Sequence, residues 1–439
     1  MTTTTVPSSG ARTVPGRTRR FLLVLPLAFV TYSLAYLDRV NIGFGEAGGM
    51  SKTLNLRGDQ FAFFSASFFF GYVLFQIPGA SYAAKHSSRK LLFVALILWA
   101  AIATLTGLLT NYWLLLIDRF LLGVVEGVVL PALLVYLTHW FNRRERSLAN
   151  SLLIQGNPVT VAWASVVSGY LVQYFSSHPI FGLAGWQTML VAEGLPTLLW
   201  AGIWWKAARD YPRESKHLTR EQIHAIETSL EEEQRNVKHV KDFRAAARDP
   251  QVIILCLQYL TWSIGIYGLT MWLPVILKSG SSAGVAKVGL LNAIPFVIGA
   301  ITMAAVSWAS DRLQTRKVFV WPFMFLGAVA FGVSYWAGQT HFWIGFVGLI
   351  VAAVCMYAPY GPFWALVPEM VSRNVAAESM ALINTLGAAG GFFGTYFVKY
   401  LRDHVGGYGA SFIFLSVALA ASGVLTLLVR PRVNSPVLT

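Results

Sequence analysis

Apolar residues in this chain come in runs, and most of the runs are long enough to cross a bilayer as a helix, which takes about 20 residues. Twelve such runs can be marked: 21–43, 61–84, 91–110, 112–140, 147–175, 186–206, 251–277, 287–309, 318–338, 342–369, 377–400 and 410–430. Short polar joints separate them, except for one long polar stretch over 207–250. No ten-residue segment alternates apolar and polar as a transmembrane strand would. The pattern predicts an all-α membrane protein with twelve transmembrane helices in two six-helix pseudo-symmetric bundles, 21–206 and 251–430. Residues 1–20 and 431–439 are expected to be cytoplasmic tails, the first disordered. Within 207–250, Thr219 stands before a helical spacing of Ile223, Ile226 and Leu230, which predicts an amphipathic surface helix with a Thr cap.

Composition narrows the class. Of the 439 residues, 55% are hydrophobic and 12% charged, against about 25% charged in soluble domains. Soluble enzymes are excluded. The net charge of +14 would suit a nucleic-acid partner, but its distribution argues otherwise. With the N-terminus inside, 26 of the 34 Lys and Arg fall in the inner joints and tails, six lie near the outer face, and Arg39 and Arg119 lie within spans. That is the positive-inside bias of a membrane protein, and both termini are expected in the cytoplasm. The first apolar run is too long for a signal peptide and lacks an Ala-x-Ala site, so it is expected to remain as a span. Cys256 and Cys355 sit in apolar runs and give neither a disulfide framework nor a metal spacing. No nucleotide-phosphate loop and no His-x-x-x-His pair occur, so no cofactor is expected and an ATP-driven pump is disfavoured.

The two halves echo each other. Arg89-Lys90 follows the second span as Asp311-Arg312 to Lys317 follows the eighth. Asn142-Arg-Arg-Glu145-Arg146 between spans four and five matches Ser372-Arg373 to Glu378 between ten and eleven. Six-span repeats related by an axis along the membrane normal are a layout of secondary transporters, whose substrate site lies at the midplane between the repeats.

Four charges inside spans then demand an account: Asp38, Arg39, Arg119 and Glu126. Each costs roughly 2.5–3.5 kcal/mol on insertion scales. Arg119 and Glu126 are seven residues apart, two helical turns, and share a face that can look toward Asp38 and Arg39 on span one. One account has the four cancelling as two ion pairs that set helix register. The other is transport. An Arg offers a planar, permanently charged fork to a carboxylate or sulfonate, and a neighbouring acid that gains or loses a proton can release or reclaim that Arg. Polar residues placed to complete such a site are Tyr72, Gln76, Asn157, Tyr267, Trp272 and Asn384; for each, an interhelical hydrogen bond is the plainer role. Glu193 is a further buried acid on span six, and Asp118 points away from Arg119 and suits a helix–helix bond. Glu145, Arg146, Asp311 and Arg312 are expected to close the cytoplasmic gate.

Six stretches in order carry a resemblance: Leu37-Asp38-Arg39-Val-Asn41-Ile-Gly43, Gly71-Tyr72 to Gly79, Asp118-Arg119 to Glu126, Trp140 to Arg146, Tyr267 to Pro274, and Ile383-Asn384 to Gly391. Over about 20–430 the chain resembles the major facilitator superfamily, and within it the anion:cation symporter family of sugar-acid and organic-anion transporters. The resemblance implies a bacterial inner-membrane symporter, with Arg39 holding the anion, Asp38 and Glu126 accepting protons, and Tyr72, Asn157 and Asn384 contacting substrate. Arg119 is expected to partner Glu126. The implied partners are a small organic anion, protons and the lipid bilayer, with no nucleic acid, and the chain is expected to be a monomer. A sugar acid is the first expectation, and a sulfonate or aromatic acid the second. A uniporter or exchanger, or a sensor that binds without cycling, remain as alternatives. One departure stands out: the family's loop after span two carries Asp and Gly where this chain has Ala84 and Ser87.

Overall fold

The computed structural model describes residues 17–235, 247–313, 315–370, 376–405 and 407–430. Among them the regular elements are helices. The first half comprises α1 (Arg17–Ala47), the short α2 (Met50–Thr53), α3 (Gly58–Lys85), α4 (Ser88–Thr106), α5 (Tyr112–Gly127), α6 (Val129–Trp140), α7 (Arg143–Ser177) and α8 (Gly185–Ala207). Helix α9 (Arg220–Arg235) follows. The second half comprises α10 (Pro250–Gly280), α11 (Val285–Leu313), α12 (Trp321–Gly338), α13 (Phe342–Tyr357), α14 (Tyr360–Met370), α15 (Ala376–His404) and α16 (Tyr408–Leu428).

Ten stretches have both the length and the apolar composition of a span. Helices α7 and α8, with 35 and 23 residues, are long enough at about 1.5 Å per residue but less apolar. The reason for α7 is visible in its packing. It lies between α1 and α11 and buries Asn157, Thr160, Ser165 and Ser168, so polar groups take the place of aliphatic ones.

Two expected spans are broken. The 112–140 run divides into α5 and α6 at Val128, and the 342–369 run divides into α13 and α14 around Ala358 and Pro359. Pro131 lacks the N–H that Gly127 would otherwise receive four residues on, and Pro359 and Pro362 act likewise. The expected tail 1–20 also needs correction. Helix α1 begins at Arg17, and Arg20 is 1% exposed, because its charge is met inside the bundle as described below.

Helix α9 carries the expected cap. Thr219 accepts from Gln222 N at 3.3 Å while Gln222 Oε1 accepts from Thr219 N at 3.1 Å, a reciprocal capping box. Ile226 is buried beneath it. Linker residues 236–246 and Arg373 lie outside the described residues.

The halves meet along α1 with α10, α3 with α15, and α7 with α11. At the end of the bundle away from the chain termini the contacts are backbone-close. A Cβ on Gly43 would lie 2.5 Å from the Met271 carbonyl oxygen, and one on Gly169 would lie 3.0 Å from Gly289 Cα. Gln173 Oε1 accepts from Ala286 N at 3.0 Å, and Asn292 Nδ2 donates to Ser165 Oγ at 2.7 Å. Small residues at crossings and polar bonds across them are the usual means of helix association in lipid.

Candidate functional site

The site is assembled by the approach of α3 to α5. A Cβ on Gly71 would lie 2.7 Å from Val124 N, and one on Gly127 would lie 2.6 Å from the Tyr72 carbonyl oxygen. Glycine at these positions lets the backbones touch. Phe68 and Tyr72 of α3 thereby share a layer with Arg119 and Glu126 of α5, and Arg39 of α1 enters that layer.

Arg39 is 8% exposed and lies in an aromatic cage. Its guanidinium carbon is 4.6 Å from the ring centre of Tyr36, 4.5 Å from Tyr72 and 5.3 Å from Phe68. Ring faces attract a desolvated cation by about 2 kcal/mol or more. Nε donates to Glu126 Oε2 at 3.4 Å, and Nη1 donates to the Tyr267 hydroxyl of the second half, also at 3.4 Å. Both bonds are long for charge-assisted contacts, which run nearer 2.7–2.9 Å. The guanidinium is thus centred and oriented by rings, and loosely held by its polar partners.

The other three charges pair differently from expectation. Glu126 meets Arg39, and Arg119 instead donates to the Asp38 backbone carbonyl at 3.4 Å, its guanidinium 5.1 Å from the Phe68 ring centre. Two turns of helix separate Arg119 from Glu126, too far for the Arg to compete with a partner reaching across from α1. Asp38 is held by neutral donors, Asn41 Nδ2 at 2.8 Å and the Trp99 indole N–H. The account of two cancelling ion pairs does not match this arrangement of one pair, an acid on neutral donors and an Arg on a carbonyl. Asp118 accepts from Thr106 at 2.5 Å, the expected helix–helix bond.

Two small cavities lie between the halves, each of about 20 Å³, room for about one water. One is bounded by Arg39, Arg119, Phe68, Phe69, Tyr267 and Thr270. The other is bounded by Tyr36, Tyr72, Tyr259, Tyr267, Tyr360 and Asn384. Neither cavity is large enough for an organic solute in this conformation.

The remaining expected residues divide. Tyr72 and Tyr267 line the cavities. Asn384 lines one and donates to Gln76 Oε1 at 2.9 Å, where Thr385 Oγ1 also donates at 3.3 Å; Gln76 and Asn384 therefore form a polar bridge between α3 and α15. Asn157 accepts from the Tyr357 hydroxyl at 3.4 Å, again across the halves. Trp272 is misplaced by the sequence reading. It is buried where α10, α15 and α3 meet: its indole N–H donates to the Thr395 carbonyl at 2.8 Å and its ring packs edge-on against Phe61, so it ties α10 to α15 and bounds neither cavity.

The expected gate residues also have other partners. Glu145 receives two bonds of 2.8 Å from Arg20, whose Nη1 also donates to the Trp140 carbonyl at 2.9 Å. Both side chains are buried, and the pair ties α1 to α7 inside the first half. Arg146 donates to the Phe141 carbonyl at 3.1 and 3.2 Å. Asp311 pairs with Arg316 on the adjoining turn, and the Arg312 guanidinium lies 5.3 Å from the Trp308 ring centre. Sequence reasoning missed Arg20, Tyr36, Phe68 and Trp99. Tyr36 could have been found, because a position three residues before Arg39 lies on its helix face. The roles of Arg20 and Trp99 depend on tertiary contacts and leave no local signal. The departure at Ser87 has a local effect: its hydroxyl caps α4 by accepting from Lys90 N at 3.0 Å and donates to Asp210 at 2.5 Å.

Comparisons with known proteins agree with this architecture. The family model described as Major Facilitator Superfamily matches residues 28–395. A protein of Agrobacterium vitis named for tartrate transport is 30% identical over 92% of this chain and 89% of its own. The quinolone resistance transporter of Acinetobacter baumannii is 30% identical over 95% of each chain, and the hexuronate transporter of Bacillus subtilis is 24% identical over 94% of this chain and 96% of its own. Among solved structures, the inward-open xylose transporter XylE from E. coli superposes with a TM-score of 0.76 at 15% identity, covering 95% of this chain and 98% of that one. A bacterial homologue of the human lysosomal transporter Spinster, inward-facing and unoccupied, does so with a TM-score of 0.70 at 18% identity, covering 95% and 96%. An all-helical bundle in two halves, buried charges at their junction and a family match over most of the length lead to one conclusion: this chain is a multi-pass membrane transporter, not an enzyme, and belongs to the Major Facilitator Superfamily.

Proposed function

We propose that the protein is a proton-coupled symporter that imports a small organic anion across the bacterial cytoplasmic membrane by alternating access, with both termini inside. The observation that supports this most is Arg39: a permanent cation at the junction of the halves, centred by Tyr36 and Tyr72 and held at 3.4 Å by one acid of the first half and one hydroxyl of the second. A carboxylate entering between the halves can take both edges of the guanidinium fork, which a single loose carboxylate oxygen does not satisfy.

The coupling follows from competition. With Glu126 ionised, Arg39 is neutralised from within. A proton on Glu126 removes that competitor and leaves Arg39 for the substrate anion. Loss of the proton to the cytoplasm returns Glu126 to Arg39 and expels the anion. Asp38, one residue away on α1, acts as a further proton acceptor. Arg119 adds positive potential to the same cavity. The bridges Gln76–Asn384 and Asn157–Tyr357 must open as the halves rock. Tyr72, Asn157 and Asn384 are substrate contacts of the open states. Glu145, Arg146, Asp311 and Arg312 act at the cytoplasmic helix ends, the first through Arg20.

A hydroxylated carboxylate such as a sugar acid fits the walls best. Tyrosine hydroxyls from Tyr36, Tyr72 and Tyr267 offer donors and acceptors, and their ring faces accept the C–H faces of a polyol. Relatives named for tartrate and hexuronate transport support this class. Phe68 and Phe69 beside the two Arg residues, with a relative named for quinolone resistance, favour an aromatic acid as the second reading. Counterflow of labelled substrate in proteoliposomes, across hydroxylated, sulfonated and aromatic acids, separates them. Counterflow with a hydroxylated acid alone supports the first reading, with an aromatic acid alone the second, and with none overturns anion transport.

A further inference from the structure

Apart from the Arg20–Glu145 pair at the helix ends, the buried carboxyls of the first half among the described residues are Asp38, Asp118, Glu126 and Glu193, and the buried guanidiniums are Arg39 and Arg119. Three of the acids belong to the arrangement described above or to a Thr-capped helix contact. Glu193 on α8 has no assigned part. It is 3% exposed, and in the middle of a span. It accepts a hydrogen bond from Ser168 of α7, to Oε1 at 2.7 Å, and the Asn41 side chain lies within reach of it. Its Oε2 has no partner.

The groups around Glu193 are uncharged or acidic. Ser168 faces it from α7, and Asn41 and Asp38 from α1. Asn41 donates through Nδ2 to Asp38 Oδ1 at 2.8 Å, while its own Oδ1 is left without a partner. On the far side of Asp38, α4 contributes the Trp99 indole, and α5 contributes Arg119, which is engaged with the Asp38 backbone. An ionised carboxylate with one hydroxyl donor and no cation is costly in hydrocarbon surroundings. A neutral carboxyl is not: a proton on Oε2 turns that unpartnered oxygen into a donor, and Asn41 Oδ1 on α1 is an unpartnered acceptor.

We propose that Glu193 is a second proton-carrying group, protonated in this closed state and linked through Asn41 to Asp38 and the Arg39 site. Glu193 touches no substrate; it acts through Asp38. In transport a proton held on Glu193 is passed toward Asp38 as the halves move, so that two protons accompany each anion: one on Glu126 and one on the Glu193–Asp38 pair. This count rests on the symport reading above, whereas the protonation of Glu193 does not.

The direct test is infrared spectroscopy of purified wild type and Glu193→Gln, following the carbonyl stretch of protonated carboxyl groups with pH. Wild type should show at neutral pH a band that is missing in Glu193→Gln, while thermal stability is retained because the amide supplies the same donor. No difference band overturns the proposal. If Glu193→Gln fails to fold, Ser168→Ala serves instead: removal of this donor must move the pH at which the wild-type band disappears, and an unmoved band overturns it. In proteoliposomes, balancing a substrate gradient against a pH gradient should give one fewer proton per anion in Glu193→Gln than in wild type. An equal count in a wild type that does couple overturns the relay, and a wild type that does not couple overturns symport while the infrared result still decides Glu193.

Discussion

Arg39→Lys keeps the charge and removes the fork, so it isolates what the guanidinium geometry contributes. Lysine can still face Glu126 and the Tyr36 and Tyr72 rings, which lie 4.6 and 4.5 Å from the present guanidinium carbon. The fold therefore keeps a compensated charge at this position. If Arg39 holds the substrate as proposed, what is lost is one of two parallel charged hydrogen bonds to its carboxylate, worth about 1.5–3 kcal/mol. At about 1.4 kcal/mol per factor of ten, affinity should fall roughly 10- to 150-fold. The assay is initial-rate uptake in membrane vesicles, normalised to protein that elutes as a monodisperse peak, together with the substrate-induced rise in melting temperature. Uptake within twofold of wild type at low substrate concentration would refute the fork argument and return Arg39 to a purely structural pairing with Glu126.

Other outcomes follow from the same geometry. Glu126→Gln should lose uptake driven by an inward proton gradient and keep anion exchange, with a flat pH profile between acid and neutral medium; equal loss of both in paired assays would make Glu126 structural. Glu145→Ala leaves Arg20, 1% exposed, without its carboxylate and should cost about 3–5 kcal/mol, read as a large drop in melting temperature, whereas Arg20→Met with Glu145→Leu together should be nearly neutral. A single-variant melt equal to wild type would contradict the buried pair. Trp272→Phe removes one indole bond to the Thr395 carbonyl and should cost about 0.5–1.5 kcal/mol in stability with KM unchanged; a raised KM at normal stability would put Trp272 back in the site.

Much of this was legible in the chain. Span count and the two-half plan follow from apolar run length, which burial in lipid enforces directly. The buried charges were legible because each is costly where it sits. Their pairing was not. Whether Glu126 meets Arg119 or Arg39 depends on how closely the helices approach, and the approach of α3 to α5 is set by Gly71 and Gly127 rather than by the charged residues. Trp272 and Tyr267 are five residues apart in one motif, yet one faces α15 and the other the cavity, a difference of rotation that a list of polar residues cannot carry. The breaks at Val128 and Ala358 were signalled by Pro131 and Pro359, but hydrophobic run length passes over them. Arg20 was read as tail because its neighbours are Arg17 and Arg19, while its partner Glu145 lies 125 residues away.

In the proposed coupling, protons on buried carboxyls of the first half release Arg39 for an anion. The most direct measurement is uptake of a labelled hydroxylated acid into proteoliposomes with the interior at neutral pH and the exterior stepped from neutral to acid, the membrane potential clamped. The account predicts accumulation above equilibrium only with the acid exterior, and its loss in Glu126→Gln while exchange persists. Equal uptake with and without the gradient would contradict it.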